Sequence, residues 1–255
     1  MPVSRILAVT NQKGGVGKTT TSINLAASLT LAGRRVLLID LDPQGNATMG
    51  SGVDKRSIKA SVYDVLLGTR PLSEVRVRAS GKYDLVPANR ELAGAEIELV
   101  DLPERETRLK HALDEVEGQY DFILIDCPPA LNLLTVNGLC AAHSVMIPMQ
   151  CEYYALEGLS DLVQTIKKVR VHLNPALEIE GLLRTMYDPR NMLAQQVSDQ
   201  LQQHFGEKVY RTIIPRNVRL AEAPSHGMPV MAFDRQSKGA LAYLALAGEM
   251  LSKPA

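Results

Sequence analysis

Residues 7–29 read LAVTNQKGGVGKTTTSINLAASL. A short apolar run gives way to a glycine-rich turn, and the turn to an amphipathic helical stretch that opens near Thr19. Strand, turn and helix in that order gather unpaired backbone N–H groups around one point, which suits an anion. Gly14, Gly15 and Gly17 let the main chain approach phosphate oxygens that a Cβ would fend off. Lys18 is placed to lie against the β- and γ-phosphates of a nucleotide, and the Thr19 hydroxyl to ligate Mg²⁺. The expected ligands are ATP and Mg²⁺, held by Gly14, Gly15, Val16, Gly17, Lys18, Thr19 and Thr20. A glycine turn before a helix can be a turn and nothing more. Gly-Lys-Thr directly after an apolar strand makes phosphate the better reading.

The loop departs from the common pattern GxxxxGK[ST]. Gln12 stands where the first glycine belongs, and an extra lysine, Lys13, precedes the Gly-Gly pair. A second ammonium beside bound phosphates repels Lys18 unless it meets negative charge of its own. The alternative is a solvated loop lysine, and spacing alone does not choose between them.

Two carboxylate motifs complete the site. In VLLIDLDPQGN (36–46), Asp40 and Asp42 stand two apart at a strand end, so pleat alternation predicts one side for both. In FILIDCPP (122–129), Asp126 closes an apolar strand. Carboxylates at the C-terminal ends of parallel strands face the ligand crevice of such sheets. One can hold Mg²⁺ through water and another can orient the attacking water.

Around these motifs, apolar runs at 5–10, 35–40, 83–87, 121–126, 144–149 and 179–186 read as strands, most of them buried on both faces. Helical stretches lie at 19–32, 105–117, 131–142, 156–173, 191–205 and 237–251. This alternation predicts an α/β fold, a mainly parallel twisted sheet flanked by helices on both faces, as one P-loop NTPase domain spanning 1–255. Residues 50–80 are polar and irregular, an expected excursion from the sheet. The stripe on 237–251 reads as core packing; a membrane-surface helix would carry Lys and Arg along its polar face, and here only Lys238 and Lys253 flank it.

Composition narrows the classes. Lys and Arg total 28, as do Asp and Glu, so net charge predicts no polyanionic partner. Residues 161–255 carry 12 basic and 9 acidic side chains, against 16 and 19 in residues 1–160, which leaves room for a basic surface in the second part. Cys127, Cys140 and Cys151 form no CxxC pair and read as reduced core thiols. No apolar run reaches the roughly 18 residues of a membrane span, and no signal peptide precedes the first strand. A cytoplasmic location is expected.

KGGVGKT, IDLDPQGN and ILIDCPP together resemble the deviant Walker A ATPases, specifically ParA-type chromosome-partitioning proteins of the Soj branch. ELAGAEIELV (91–100), PMQCEYYALEGL (148–159) and IPRNVRLAEAPSHG (214–227) extend the likeness along nearly the whole chain. The resemblance implies an ATP-bound homodimer in which Lys13 reaches the partner's phosphates, a cation supplied in trans as an arginine finger is. It implies that Asp42 aids the attacking water, that Asp40 and Asp126 support Mg²⁺, and that Pro215 and Asn217 contact adenine. It implies non-specific binding of double-stranded DNA, with Arg190 and Arg219 as contacts and Lys208, Arg211 and Arg216 making the region basic. About three phosphates per subunit would give the dimer a log–log salt slope near −5. A ParB-type centromere-binding protein is the implied partner and the nucleoid the implied location. The rivals are a MinD-like membrane-associated cell-division ATPase, which would want a basic amphipathic C-terminal helix, and a metabolic P-loop ligase or amidotransferase, which would want a further catalytic cluster. The cysteine spacing disfavours an iron–sulfur ATPase of related fold.

Overall fold

The strands of this protein are short runs of Leu, Ile and Val whose side chains alternate between two apolar layers. Ala8, Leu37, Ile39, Ile123, Ile125, Val145 and Ile147 point to one layer. Their neighbours Leu7, Val36, Leu38, Phe122, Leu124 and Met146 point to the other. A strand that must bury both faces has no polar alternation left, which is why these segments are apolar throughout. The computed structural model describes residues 4–253.

Eight strands form one sheet: β1 (Arg5–Val9), β2 (Val36–Asp40), β3 (Val77–Arg78), β4 (Asp84–Val86), β5 (Phe122–Asp126), β6 (Ser144–Gln150), β7 (Glu178–Tyr187) and β8 (Val209–Pro215). Their order is β3-β4-β2-β5-β1-β6-β7-β8. Among the described residues only β3 runs antiparallel to its neighbour. On one face lie the helices Leu133–Ala141, Ala155–His172 and Met192–Phe205; on the other lie Lys18–Leu31 and Lys238–Ser252. The mainly parallel sheet with helices on both faces is the fold expected.

The C-terminal helix turns its stripe inward. Ala240, Tyr243, Leu246 and Met250 are buried, and Tyr243 shares a 3.1 Å hydrogen bond with Thr21 of the helix that follows the phosphate loop. Core packing is therefore its role here. Cys127, Cys140 and Cys151 are free and buried, as reduced core thiols should be.

Three readings need correction. Residues 50–80 are not an excursion: they hold the helices Val62–Leu67 and Leu72–Val75, whose Val62, Val65, Leu66, Leu72 and Val75 enter the core. Helices of six and four residues are too short to print a period, so only the capping box from Ser61 to Asp64 announces them. The strand β8, VYRTIIP, carries no clear strand signal in sequence because Arg211 and Thr212 interrupt its apolar run at the sheet edge. The helix expected at 105–117 spans only Arg108–Asp114.

Candidate nucleotide site

Strands β1, β5 and β2 are neighbours near the middle of the sheet, and their C-terminal ends carry the three motifs. Register places Asp126 level with Val9 on one side and with Asp40 on the other. The sheet thus converts three distant segments into one crevice.

The loop between β1 and the helix Lys18–Leu31 takes the shape its glycines permit. Gly15 and Gly17 adopt φ values of 73° and 89°, left-handed conformations that side chains resist. Gly17 caps the helix without a side-chain acceptor, and the first intrahelical bond runs from Thr21 N–H to the Gly17 carbonyl at 2.9 Å. The N–H groups of Lys18, Thr19 and Thr20 precede that bond and face the loop's hollow. Lys13, Gly14 and Gly15 are exposed at its rim, whereas Val16 is buried. Two contacts fix the loop from outside. Asn11 accepts from Lys13 N–H at 3.0 Å and donates to the Pro148 carbonyl at 2.8 Å, while Thr185 of β7 donates to the Val16 carbonyl at 2.7 Å.

The two loop lysines face opposite ways. Lys18 is 7% exposed, and its Nζ donates to the Lys13 carbonyl at 3.1 Å. Burial lowers its pKa, and the charges of Asp126 and Asp42 pull it back up. Lys13 has a side chain 45% exposed and forms an ion pair with Glu152, just past β6.

The carboxylates differ as sharply. Asp126 is fully buried; it accepts from Thr19 Oγ1 and from Ser22 Oγ, each at 2.8 Å. Asp40 is also fully buried, and both its oxygens are taken: Oδ2 by the Thr48 N–H and hydroxyl at 2.8 and 2.7 Å, Oδ1 by the Asp42 N–H at 3.1 Å. Burial raises the pKa of both, and for Asp126 the charge of Asp40 adds to the effect. Asp42 lies beyond the strand end, on the turn that follows, and not on the pleat that alternation assumed. It is half-buried, and its Oδ1 accepts from Gln44 N–H at 2.8 Å.

This arrangement fits a magnesium–nucleotide complex. Two buried carboxylates in adjacent register, with burial opposing their charge, want a cation close by. No three carboxylate, thiol or imidazole groups converge as a cage among the described residues. Magnesium usually keeps waters and takes one or two protein oxygens beside substrate phosphates, so Thr19 and Asp126 suffice.

The segment expected to contact adenine lies at the end of β8. Pro215 closes that strand, and Asn217 precedes the short helix Val218–Glu222. Asn217 Oδ1 is buried with no hydrogen-bond partner among the described residues. An orphaned buried acceptor carries a desolvation cost that a ligand N–H can relieve.

The four expected DNA contacts do not all cluster. Arg190 follows β7 and Arg216 follows β8, and these ends adjoin, since Arg216 N–H meets the Tyr187 carbonyl at 3.4 Å. Arg219 stands one helical turn further on. Lys208 lies before β8, at the opposite end of the sheet, 4.0 Å from Glu178. That end also holds a cavity of about 720 Å³ lined by Arg5, Glu178, Glu180, Lys208 and Glu249, braced by the 3.0 Å Arg5–Glu180 ion pair. It is remote from the phosphate loop. Among residues that sequence reasoning missed, Ser22 could have been found, because it sits three positions from Thr19 on one helix face. Thr48, Thr185 and Glu152 left no local signal.

Comparison with known proteins agrees with this geometry. Residues 4–179 match a family described as AAA domain. Over 249 residues, 97% of this chain and 98% of the relative, the sequence is 54% identical to sporulation initiation inhibitor protein Soj of Bacillus subtilis. It is 51% identical to chromosome partitioning protein ParA of Caulobacter vibrioides over 252 residues, 98% of this chain and 94% of the relative. The solved structure of cobyrinic acid a,c-diamide synthase from Mycobacterium smegmatis, with bound ATP analog and magnesium, matches with a TM-score of 0.88 at 43% identity, covering 98% of this chain and 94% of the other.

Proposed function

The chain belongs to the ParA-type chromosome-partitioning ATPases of the Soj branch, and from that premise we propose that it alternates between an ATP-bound dimer held on DNA and a free monomer. Its reaction is ATP hydrolysis with Mg²⁺.

In the proposed cycle the Lys18 ammonium and the N–H groups at the start of the helix bind the β- and γ-phosphates. Asn217 Oδ1 accepts from the adenine amino group while Pro215 packs beside the base. Thr19 and Asp126 would hold the magnesium ion, which would offset charge on the phosphate oxygens when bound. Asp40 supports it from behind: locked by Thr48, it fixes the N–H of Asp42. Asp42 then orients water for attack on the γ-phosphorus; the bond to the β–γ bridging oxygen breaks, ADP leaves with that electron pair, and the proton of the water passes toward the Asp42 carboxylate. The partner subunit's Lys13 stabilises the charge that develops, so turnover waits for dimerisation. The dimer doubles a surface carrying Arg190, Arg216 and Arg219 and binds duplex DNA without reading sequence. A ParB-type protein accelerates hydrolysis and so releases the dimer from the nucleoid. No helix among the described residues is long and apolar enough to cross a membrane.

One observation carries the dimer reading. Lys18 is turned inward to serve its own loop, while Lys13 is turned outward at the rim, half exposed and paired with Glu152, where a second molecule's phosphates can reach it and displace that carboxylate. Light scattering of the Asp42→Ala protein with ATP and Mg²⁺ tests the reading. Twice the monomer mass is expected, and the mass of one chain when Lys13→Ala is added. A protein saturated with nucleotide that still scatters as one chain would refute the cycle.

A further inference from the structure

Two of the three arginines assigned to DNA, Arg190 and Arg219, are already engaged. Arg190 Nε donates to Asp188 Oδ1 at 3.0 Å and Nη2 to Asp188 Oδ2 at 2.8 Å, a two-pronged clasp. Asp188 Oδ1 also accepts the Arg190 N–H at 3.0 Å, closing a tight turn around the pair. Arg219 is held twice: Nη1 donates to Glu222 Oε2 at 2.7 Å, and Nε lies 3.2 Å from Asp234 Oδ2. A guanidinium fork meets a carboxylate and a phosphate with the same paired geometry. A fork closed on one is closed to the other.

We propose that Asp188 and Glu222 are resident competitors of the DNA backbone, occupying the guanidinium forks of Arg190 and Arg219 so that one subunit alone holds duplex DNA too weakly to stay. The proposal rests on the DNA-binding reading of this surface and adds what restrains it. Each carboxylate acts twice. It takes up the arginine's donors, and its charge repels the incoming phosphate. Exposed pairs of this kind are individually weak, about 0–1 kcal/mol, so phosphate can displace them. Weak competition suits a reversible contact. A subunit that pays this toll at both arginines binds poorly, whereas a dimer presents twice the contacts to one duplex and recovers the loss through avidity. In this way a chain with no net charge avoids lasting attachment to DNA in its monomeric state.

Fluorescence anisotropy on a random-sequence duplex, with ATP and Mg²⁺ in the Asp42→Ala background, tests the idea. Asp188→Asn keeps the acceptor for the Arg190 N–H and removes the charge; Glu222→Gln keeps an acceptor for Arg219 Nη1 and removes the charge there. Each should tighten binding about two- to fivefold per subunit, the square of that for a dimer, and steepen the salt dependence. Adding Arg190→Ala to Asp188→Asn should erase the gain. Asp54→Asn is the charge-matched control, because Asp54 clasps Arg56 through the same kind of turn, with Nε–Oδ1 at 3.1 Å. If the parent binds DNA and the two neutralised variants bind no more tightly than it or the control, the inference falls and the DNA reading stands. If the parent itself does not bind DNA, the DNA reading falls and takes the inference with it.

Discussion

At Lys18 one ammonium meets opposing demands. Burial disfavours its charge, and Asp126 and Asp42 favour it, so it waits in the loop with a single acceptor, the Lys13 carbonyl. In the proposed cycle a triphosphate would supply a stronger, charged partner. Lys18→Ala should raise the ATP Kd by about 100-fold, the loss expected for a charge-assisted contact in a desolvated site; isothermal titration measures it, and retained affinity would overturn the loop assignment. Asn217 is the complementary case, a neutral acceptor buried without a donor. Asn217→Ala should weaken ATP binding about fivefold to 30-fold and narrow the preference for ATP over GTP, since guanine offers a carbonyl where adenine offers an amino group. Competition binding with both nucleotides checks the two effects separately. A change in affinity with no change in preference would mean that Asn217 packs against the base without reading it.

At the scale of elements, the junction of β7 with the phosphate loop stands out. Thr185 bonds the Val16 carbonyl, and Met186 follows with φ 48°, a left-handed conformation rare for a side chain of its kind. A Cβ on Gly17 would sit 3.8 Å from both Thr185 and Met186, in ordinary contact, so it is the φ of Gly17 and not crowding that requires glycine there. Thr185→Val keeps the shape and strands the Val16 carbonyl. The expected cost is about 1–2 kcal/mol, a fall of about 2–8 °C in the melting midpoint, accompanied by weaker ATP binding. Calorimetry with and without ATP checks both. Stability lost with affinity intact would mean that the bond braces the sheet and not the loop.

For the whole molecule the question is what a second copy would meet. Gly14 is exposed at the rim, and a Cβ built on it touches nothing within 4 Å. Gly14→Val should therefore fold and bind ATP like the parent, within about twofold, yet fail to dimerise, because its bulk would be felt only across the subunit junction. Light scattering with ATP and Mg²⁺ decides the case. A Gly14→Val protein that still dimerises would place the junction elsewhere. At this scale the even charge balance also finds its use: the basic groups that follow β7 and β8 are matched locally by Asp188, Glu222 and Asp234.

Much of this protein can be read from the chain alone, because its decisive signals are local. A strand, glycines at fixed offsets, Lys18 and Thr19 within one turn, and aspartates closing apolar runs all speak through spacings of a few residues. Those spacings predicted the α/β class, the nucleotide and the metal, and the Soj-type segments narrowed the family. Tertiary structure decided the rest, because it depends on groups far apart in sequence. Thr185 reaches a loop 169 residues away, Thr19 meets Asp126 across 107, and Glu152 answers Lys13 across 139. Which carboxylate is saturated, which faces water, and which arginine is already clasped follow from packing and hydrogen-bond satisfaction, and these exist only once the sheet has brought its strand ends together.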